Sequence, residues 1–243
     1  MFSFFKKKAP VVSDINWLGV DIHSHILPGI DDGSKDLNQS LSYVRQMQEL
    51  GFESLYCTPH IYTELYPNTA ETIFPALQSV KDGLIAENLT IPVGAAAEHM
   101  VDYSFEVSDN HLCLPDKHIL IEMSYLSETP GIEKVIFDLQ IKGYNVILAH
   151  PERYNFYHQT IQRYHRLREM GCLFQLNLLA VTGYYGKEVK QASDYLLKNK
   201  LYDLAASDLH HDKHMSLLTK IVLNGDLFKQ VGNYEFKNRE LFL

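Results

Sequence analysis

The stretch GVDIHSHILPGIDDG, Gly19 to Gly33, sets His23 and His25 one residue apart behind a short β-branched run and follows them with Asp31 and Asp32. A strand end running into a polar turn would account for it. So would half of a metal site, because imidazole and carboxylate ligands suit zinc, manganese and iron. The same residue types recur downstream, in TPH (His60), AAAE (Glu98), LIE (Glu122), LAH (His150) and SDLH (Asp208 and His210). Each follows or ends a short apolar run.

Those runs are the candidate strands: 18–22, 54–57, 92–97, 118–122, 145–149, 172–176 and 202–207. Helical patterns lie between them. Leu37, Leu41, Val44 and Met47 share one face, with Asp36 as N-cap and Gly51 as stop. Ile132, Val135, Ile136 and Leu139 form a second face ending at Gly143, and Val189, Ala192 and Leu196 mark another. The segment 69–88 reads as a helix that Pro75 kinks or starts late. Alternating strands and helices imply βα units and a parallel sheet. A barrel of about seven or eight units closes such a sheet and places its reactive residues at the C-terminal strand ends. An open doubly wound sheet is the alternative.

In a parallel sheet every strand points its C-terminus the same way, so His23, His25, Asp32, His60, Glu98, Glu122, His150, Asp208 and His210 share one rim. The sixth strand leads only to Asn177. Nine metal-competent side chains left uncompensated there would cost several kcal/mol per buried ion, a cost that bound cations remove. The set exceeds one ion's coordination shell, so about two or three ions are implied. Three divalent ions carry about +6 against −4 from Asp32, Glu98, Glu122 and Asp208, which favours hydroxide and an anionic substrate such as a phosphate.

The chain has 243 residues, 46% of them hydrophobic, which suits a globular α/β fold. Its net charge of −8 argues against nucleic-acid binding. Cys57, Cys113 and Cys172 are odd in number, far apart and without a C-x-x-C pair, as expected of a cytoplasmic, reducing setting. None has an arginine six residues later, so the C-x5-R loop of a cysteine phosphatase is excluded. The start MFSFFKKKAP has the reverse order of a signal peptide, and no run reaches transmembrane length, so no stable membrane insertion is expected. Residues 1–16 read as a surface arm, whose Phe2, Phe4, Phe5 and lysines could touch a membrane surface weakly, and 17–243 as a single domain. The segment after Leu218 reads as a terminal helix and tail. GYYGKE lacks the P-loop spacing, and neither G-x-G-x-x-G nor G-x-S-x-G occurs.

In order, DIHSH, DDG, TPH, AAAE, LIEMS, LAHPERY and ASDLHH resemble the motifs of the polymerase-and-histidinol-phosphatase (PHP) superfamily. More closely they resemble its bacterial metal-dependent protein-tyrosine phosphatases, associated with capsule and exopolysaccharide synthesis. The resemblance runs from Trp17 to about Leu218. It implies a distorted, TIM-like (β/α)7 barrel with a trinuclear centre at the C-terminal face of the strands. Carried over by position, it assigns His23, His25, Glu98 and Asp208 to one ion. A second would be held by Glu98, Glu122 and His150, and a third by Asp32, His60 and His210. Two to three divalent ions are expected, manganese first, with iron, zinc or magnesium as alternatives. Arg153 of HPERY is implicated in binding the phosphoryl group, a role that suits guanidinium geometry. Relatives often carry an arginine beyond SDxH. Here the segment reads HHDKHMS, and Lys213 or His214 substitutes or the role is absent.

The implied activity is hydrolysis of phosphotyrosine on proteins by a metal-activated hydroxide attacking phosphorus in line. The implied partner is a bacterial tyrosine kinase controlling polysaccharide export. Tyr62, Tyr66, Tyr184 and Tyr185 follow the second and sixth strands and could flank an aromatic substrate or simply pack. The alternatives are a small-molecule phosphatase of histidinol-phosphatase type, a metal-dependent amidohydrolase, and a catalytically silent regulator.

Overall fold

β-branched runs buried on both faces make strands, and they do so here in a computed structural model that describes residues 11–243. In chain order the elements are β1 (Val20–Asp21), α1 (Leu37–Leu50), β2 (Ser54–Cys57), β3 (His60–Ile61), α2 (Ala70–Ala86), β4 (Val93–Ala95), β5 (Glu98–Met100), β6 (His118–Glu122), α3 (Ile132–Ile141) and β7 (Asn145–Ala149). They continue with α4 (Gln162–Glu169), β8 (Leu173–Asn177), α5 (Lys187–Lys198), β9 (Leu204–Ala206), α6 (Asp212–Leu223), α7 (Asp226–Val231) and α8 (Asn238–Phe242). All seven expected strands occur, and 54–57, 118–122 and 145–149 have the expected ends.

The strands form two parallel sheets, β1-β2-β4 and β3-β5-β6-β7-β8-β9. The break between β2 and β3 falls at Thr58 and Pro59, where proline has no N–H for the ladder. Across the break, Ala96 N still donates to Cys57 O and Glu98 N to Pro59 O. The edges β1 and β9 also meet. Asp208 N donates to His23 O and His25 N to Leu209 O, both at 2.9 Å, and Ser24 bridges Leu209 in parallel.

Side chains alternate between two apolar layers. Ile119, Ile121, Val146 and Leu148 join the large cluster that includes the helix residues Val44, Ile136 and Leu196, while Leu120, Ile147 and Ala149 join a small one with Val20, Ile22, Leu204 and Phe242. Phe242 comes from α8, whose Asn238 Nδ2 donates to Val20 O and to Ala205 O, tying β1 to β9.

Asp36 Oδ1 caps α1 by accepting from Gln39 N, and Gly51 ends it at φ 102°. Pro75 does not delay α2, which begins at Ala70 and tolerates the lost bond at its sixth position. Of the expected arm over 1–16, only residues 11–16 are described. Ile15 is fully buried and its N–H donates to Leu50 O, while residues 1–10, with Phe2, Phe4, Phe5 and the lysines, lie outside the described residues. In place of the single terminal helix expected after Leu218, that segment holds the end of α6, which already begins at Asp212, and two further helices, α7 and α8. No helix among the described residues is long and apolar enough to cross a membrane.

Candidate metal centre

His23 and His25 sit just past β1, fully buried, with their Nε2 atoms 3.2 Å apart. The other nitrogen of each ring is committed. His23 Nδ1 donates to Gln175 Oε1 at 2.9 Å, and His25 Nδ1 to Asp31 Oδ2 at 2.7 Å. Gln175 Nε2 in turn donates to Leu176 O, which fixes the amide so that its oxygen faces His23. In the neutral rings Nε2 is therefore the atom left with a lone pair, and the two Nε2 atoms face each other. Two nitrogens bound at about 2.0–2.1 Å to one tetrahedral ion lie about 3.3 Å apart, so this pair is spaced as ligands of one cation.

Two carboxylates close on the pair. Glu98 Oε2 is 3.2 Å from His23 Nε2 and 3.4 Å from His25 Nε2, and Asp208 Oδ1 is 3.3 Å from His23 Nε2. Both oxygens are buried without a hydrogen-bond partner, as is His150 Nδ1. Buried acceptors are otherwise satisfied, so this orphaned set of nitrogen and oxygen donors fits divalent cations.

All nine expected ligands fall into four overlapping groups: His23, His25 and Glu98; His23, His150 and Asp208; His60, Glu98 and Glu122; and His25, Asp32, His60 and His210. The grouping departs from the one the family pattern implies. It is His60 Nδ1 that meets Glu122 Oε1, at 3.0 Å, while His150 Nε2 lies 3.0 Å from Glu98 Oε1. His60 Nε2 is also 3.4 Å from Asp32 Oδ1. A neutral imidazole offers one lone pair, so His60 can serve only one of its two groups at a time. Burial opposes ionisation of Glu98 and Asp32. Even so, the charges of His23 and His60 hold Glu98 well below the carboxylate range, and a His60 hydrogen bond with the His210 charge brings Asp32 to about 2.

Strand ends supply this geometry through local strain. His150, after β7, has φ 33° and Asp208, after β9, has φ 50°, left-handed values that a non-glycine residue adopts only when its surroundings impose them. In the β1–α1 loop, Gly33 packs so tightly on His25 that an added Cβ would lie 1.9 Å from His25 O. That contact folds Asp31 beneath His25, where it also accepts from Gly33 N and His60 N, and leaves Asp32 half exposed at the rim.

Above the cluster opens a cleft of ≈ 470 Å³ lined by His60, Glu98, Glu122, His150, Asp208 and His210, with Asp32 and Arg153 at its wall. Arg153 Nη1 donates to Asp208 Oδ2 at 2.7 Å rather than pairing with Glu152, which accepts from Asn177 N and the Tyr202 hydroxyl. Of the two candidates after SDxH, His214 lines the cleft and Lys213 is exposed on α6 outside it. Burial, with His211 close by, pushes His214 down to about 4. Tyr62, Tyr66, Tyr184 and Tyr185 all line the cleft. Sequence reasoning missed Gln175 and Tyr125. It also missed the role of Asn177, whose Nδ2 donates to Asp208 Oδ2 at 2.8 Å and to the Tyr185 hydroxyl at 3.0 Å.

Residues 19–219 match the family described as capsular polysaccharide synthesis, CpsB/CapC. The tyrosine-protein phosphatase YwqE of Bacillus subtilis is 30% identical over 231 residues, 92% of this chain and 91% of the relative. The tyrosine-protein phosphatase CpsB of Streptococcus pneumoniae is 26% identical over 201 residues, 79% of this chain and 83% of the relative. Among solved structures, one reported for YwqE from Bacillus subtilis and CpsB from Streptococcus pneumoniae, described as unique metal-dependent tyrosine phosphatases, superposes with a TM-score of 0.79 at 29% identity. That match covers 91% of this chain and 90% of the other. The lactonase Lmo2620 from Listeria monocytogenes, 13% identical with a TM-score of 0.55 over 93% of this chain and 91% of its own, shares the fold alone.

Proposed function

The chain belongs to the CpsB/CapC family of capsular polysaccharide synthesis, and from that premise we propose that it is a metal-dependent protein-tyrosine phosphatase. The observation that carries this reading is the pair of bare His23 and His25 nitrogens facing two orphaned carboxylate oxygens on the floor of an aromatic-walled cleft.

In this reading His23, His25, Asp32, His60, Glu98, Glu122, His150, Asp208 and His210 hold two to three divalent ions, manganese first. Bound there, such ions supply Lewis acidity toward a phosphate monoester and acidify water beside it. The protein does the rest. Arg153 spends one N–H on Asp208 and keeps others for phosphoryl oxygens. The tyrosines of the wall offer ring faces to a substrate ring. A phenolate leaving group, with a conjugate acid near pKa 10, asks little of a general acid.

The same reading joins the two sheets into one distorted (β/α)7 barrel, supported by the Ser24–Leu209 bridge and the Asn238 contacts to both edges. Its physiological substrate is a phosphotyrosine-bearing bacterial tyrosine kinase, supported by the family's place in capsular polysaccharide synthesis. A cytoplasmic setting is supported by three free cysteines.

Elemental analysis of protein purified without chelator, paired with turnover of a phosphotyrosyl peptide before and after chelation, tests the proposal. At least two equivalents of metal and chelator-sensitive turnover are expected. An active metal-free protein, or a large preference for histidinol phosphate, would overturn it.

A further inference from the structure

Arg153 stands between two tyrosine rings, its guanidinium carbon 4.6 Å from the Tyr125 centroid and 4.5 Å from that of Tyr185. Sheet order builds this arrangement. Arg153 follows β7, Tyr125 follows β6 and Tyr185 follows β8, and β7 lies between the other two. Loops from the two neighbouring strands thus close on the arginine of the middle one. Tyr185 is itself anchored, accepting from Asn177 Nδ2.

The guanidinium has five N–H donors, and among the described residues only one finds a protein acceptor, Asp208 Oδ2. Arg153 lines the cleft together with Glu98 and Asp208. An unclamped arginine would sweep its free edge through many rotamers and toward solvent. With its carbon held over two tyrosine rings, it has far less room to swing.

We propose that Tyr125 and Tyr185 are positioning residues that hold the Arg153 guanidinium with its free edge turned to the phosphoryl group, an assignment that rests on the phosphatase reading. Asn177 Nδ2 reaches the same Asp208 oxygen as Arg153, so Asp208 stays oriented when the clamp is cut.

The test uses the metal-loaded full chain and two readouts: calorimetric binding of inorganic phosphate, and kcat/KM on a phosphotyrosyl peptide. Tyr125→Leu is expected to weaken both by about 3- to 30-fold with unchanged metal content, while Tyr125→Phe, which keeps the ring face, retains most of each. In an Arg153→Ala background Tyr125→Leu should add nothing, because it acts through that arginine. Equal damage from phenylalanine and leucine, an undiminished leucine effect without Arg153, or no change in either readout overturns the clamp. A wild-type chain that binds metal and phosphate but never turns over phosphotyrosine defeats the phosphatase reading instead, and the phosphate-binding arm still decides the clamp.

Discussion

Three histidines of the centre are each held in one tautomer by an oxygen that is not itself among the ligand atoms. Gln175 takes the Nδ1 proton of His23, Asp31 that of His25, and the Asp208 carbonyl that of His210. Cutting such support costs about 10- to 100-fold in metal affinity, so Asp31→Ala and Gln175→Leu should each show that loss in a chelator-competition titration. His23→Ala should cost more than Asp32→Ala, because His23 is fully buried and joins two ligand groups while Asp32 is half exposed and joins one. The ligand types were legible because each stands at a strand end or in the loop that follows one. Gln175, Tyr125 and the supporting role of Asn177 were not, since their partners lie on other strands and only the register pairs them. The cysteines bear on mechanism too. Burial pushes Cys57 and Cys172 up to about 12 and Cys113 to about 11, so all three hold less thiolate near neutral pH than a free thiol, and reaction quickens only as pH climbs toward those values. Iodoacetamide at pH 7.5 is expected to leave turnover intact, where a chelator abolishes it; rapid inactivation by the alkylator would point to a cysteine nucleophile.

The β1–α1 loop shows how an element delivers these residues. Gly33 has no room for a Cβ against the His25 backbone, so Gly33→Ala must push the loop away from β1 and carry Asp31 and Asp32 with it. The expected result is a destabilisation of about 1–3 kcal/mol, typical of overpacking, together with loss of metal from the group containing Asp32. Denaturant unfolding and elemental analysis read the two effects, and unchanged metal content would show that the loop does not need this contact. Seven of the nine strands and the helices α1, α2, α3 and α5 were legible from period and caps, as Asp36 and Gly51 around α1 illustrate. The helix α4 was not, because QRYHRLRE buries only Tyr164 and Leu167 and leaves no apolar stripe to read. The expected 92–97 strand stops at β4, and β5, which follows it from Glu98, was hidden for a different reason: the pairing shifts across the Pro59 gap on its neighbour, not within its own sequence.

At the scale of the whole molecule the strands aim Glu98, Glu122 and Asp208, each almost fully buried, at one point beneath the cleft. A buried carboxylate needs a compensating charge, which a bound cation or a protonated histidine can supply. The two compete, and that competition gives metal removal a pH signature. In the metal-free protein burial works against protonation of His25, but Asp31 and its surroundings raise it to about 10; carboxylates likewise raise His23, and His60 well above the ordinary value. A group raised in the folded state contributes stability fully below its unfolded pKa, near 6.5, and loses it as pH rises toward the folded value. The chelated protein should therefore be more stable at pH 6 than at pH 9. Metal reverses the order, because protons compete for the same nitrogens and ions bind best where those nitrogens are bare. At a free metal concentration 100 times Kd, one site adds about 2.7 kcal/mol, which for a chain of this size corresponds to about 5–11 °C in Tm. Calorimetric melting with and without chelator at the two pH values should show a drop of that order per site at pH 9 and a smaller one at pH 6. An equal drop at both would mean that protons do not replace the ions, and no drop at either would mean that the buried carboxylates find their compensation elsewhere in the chain.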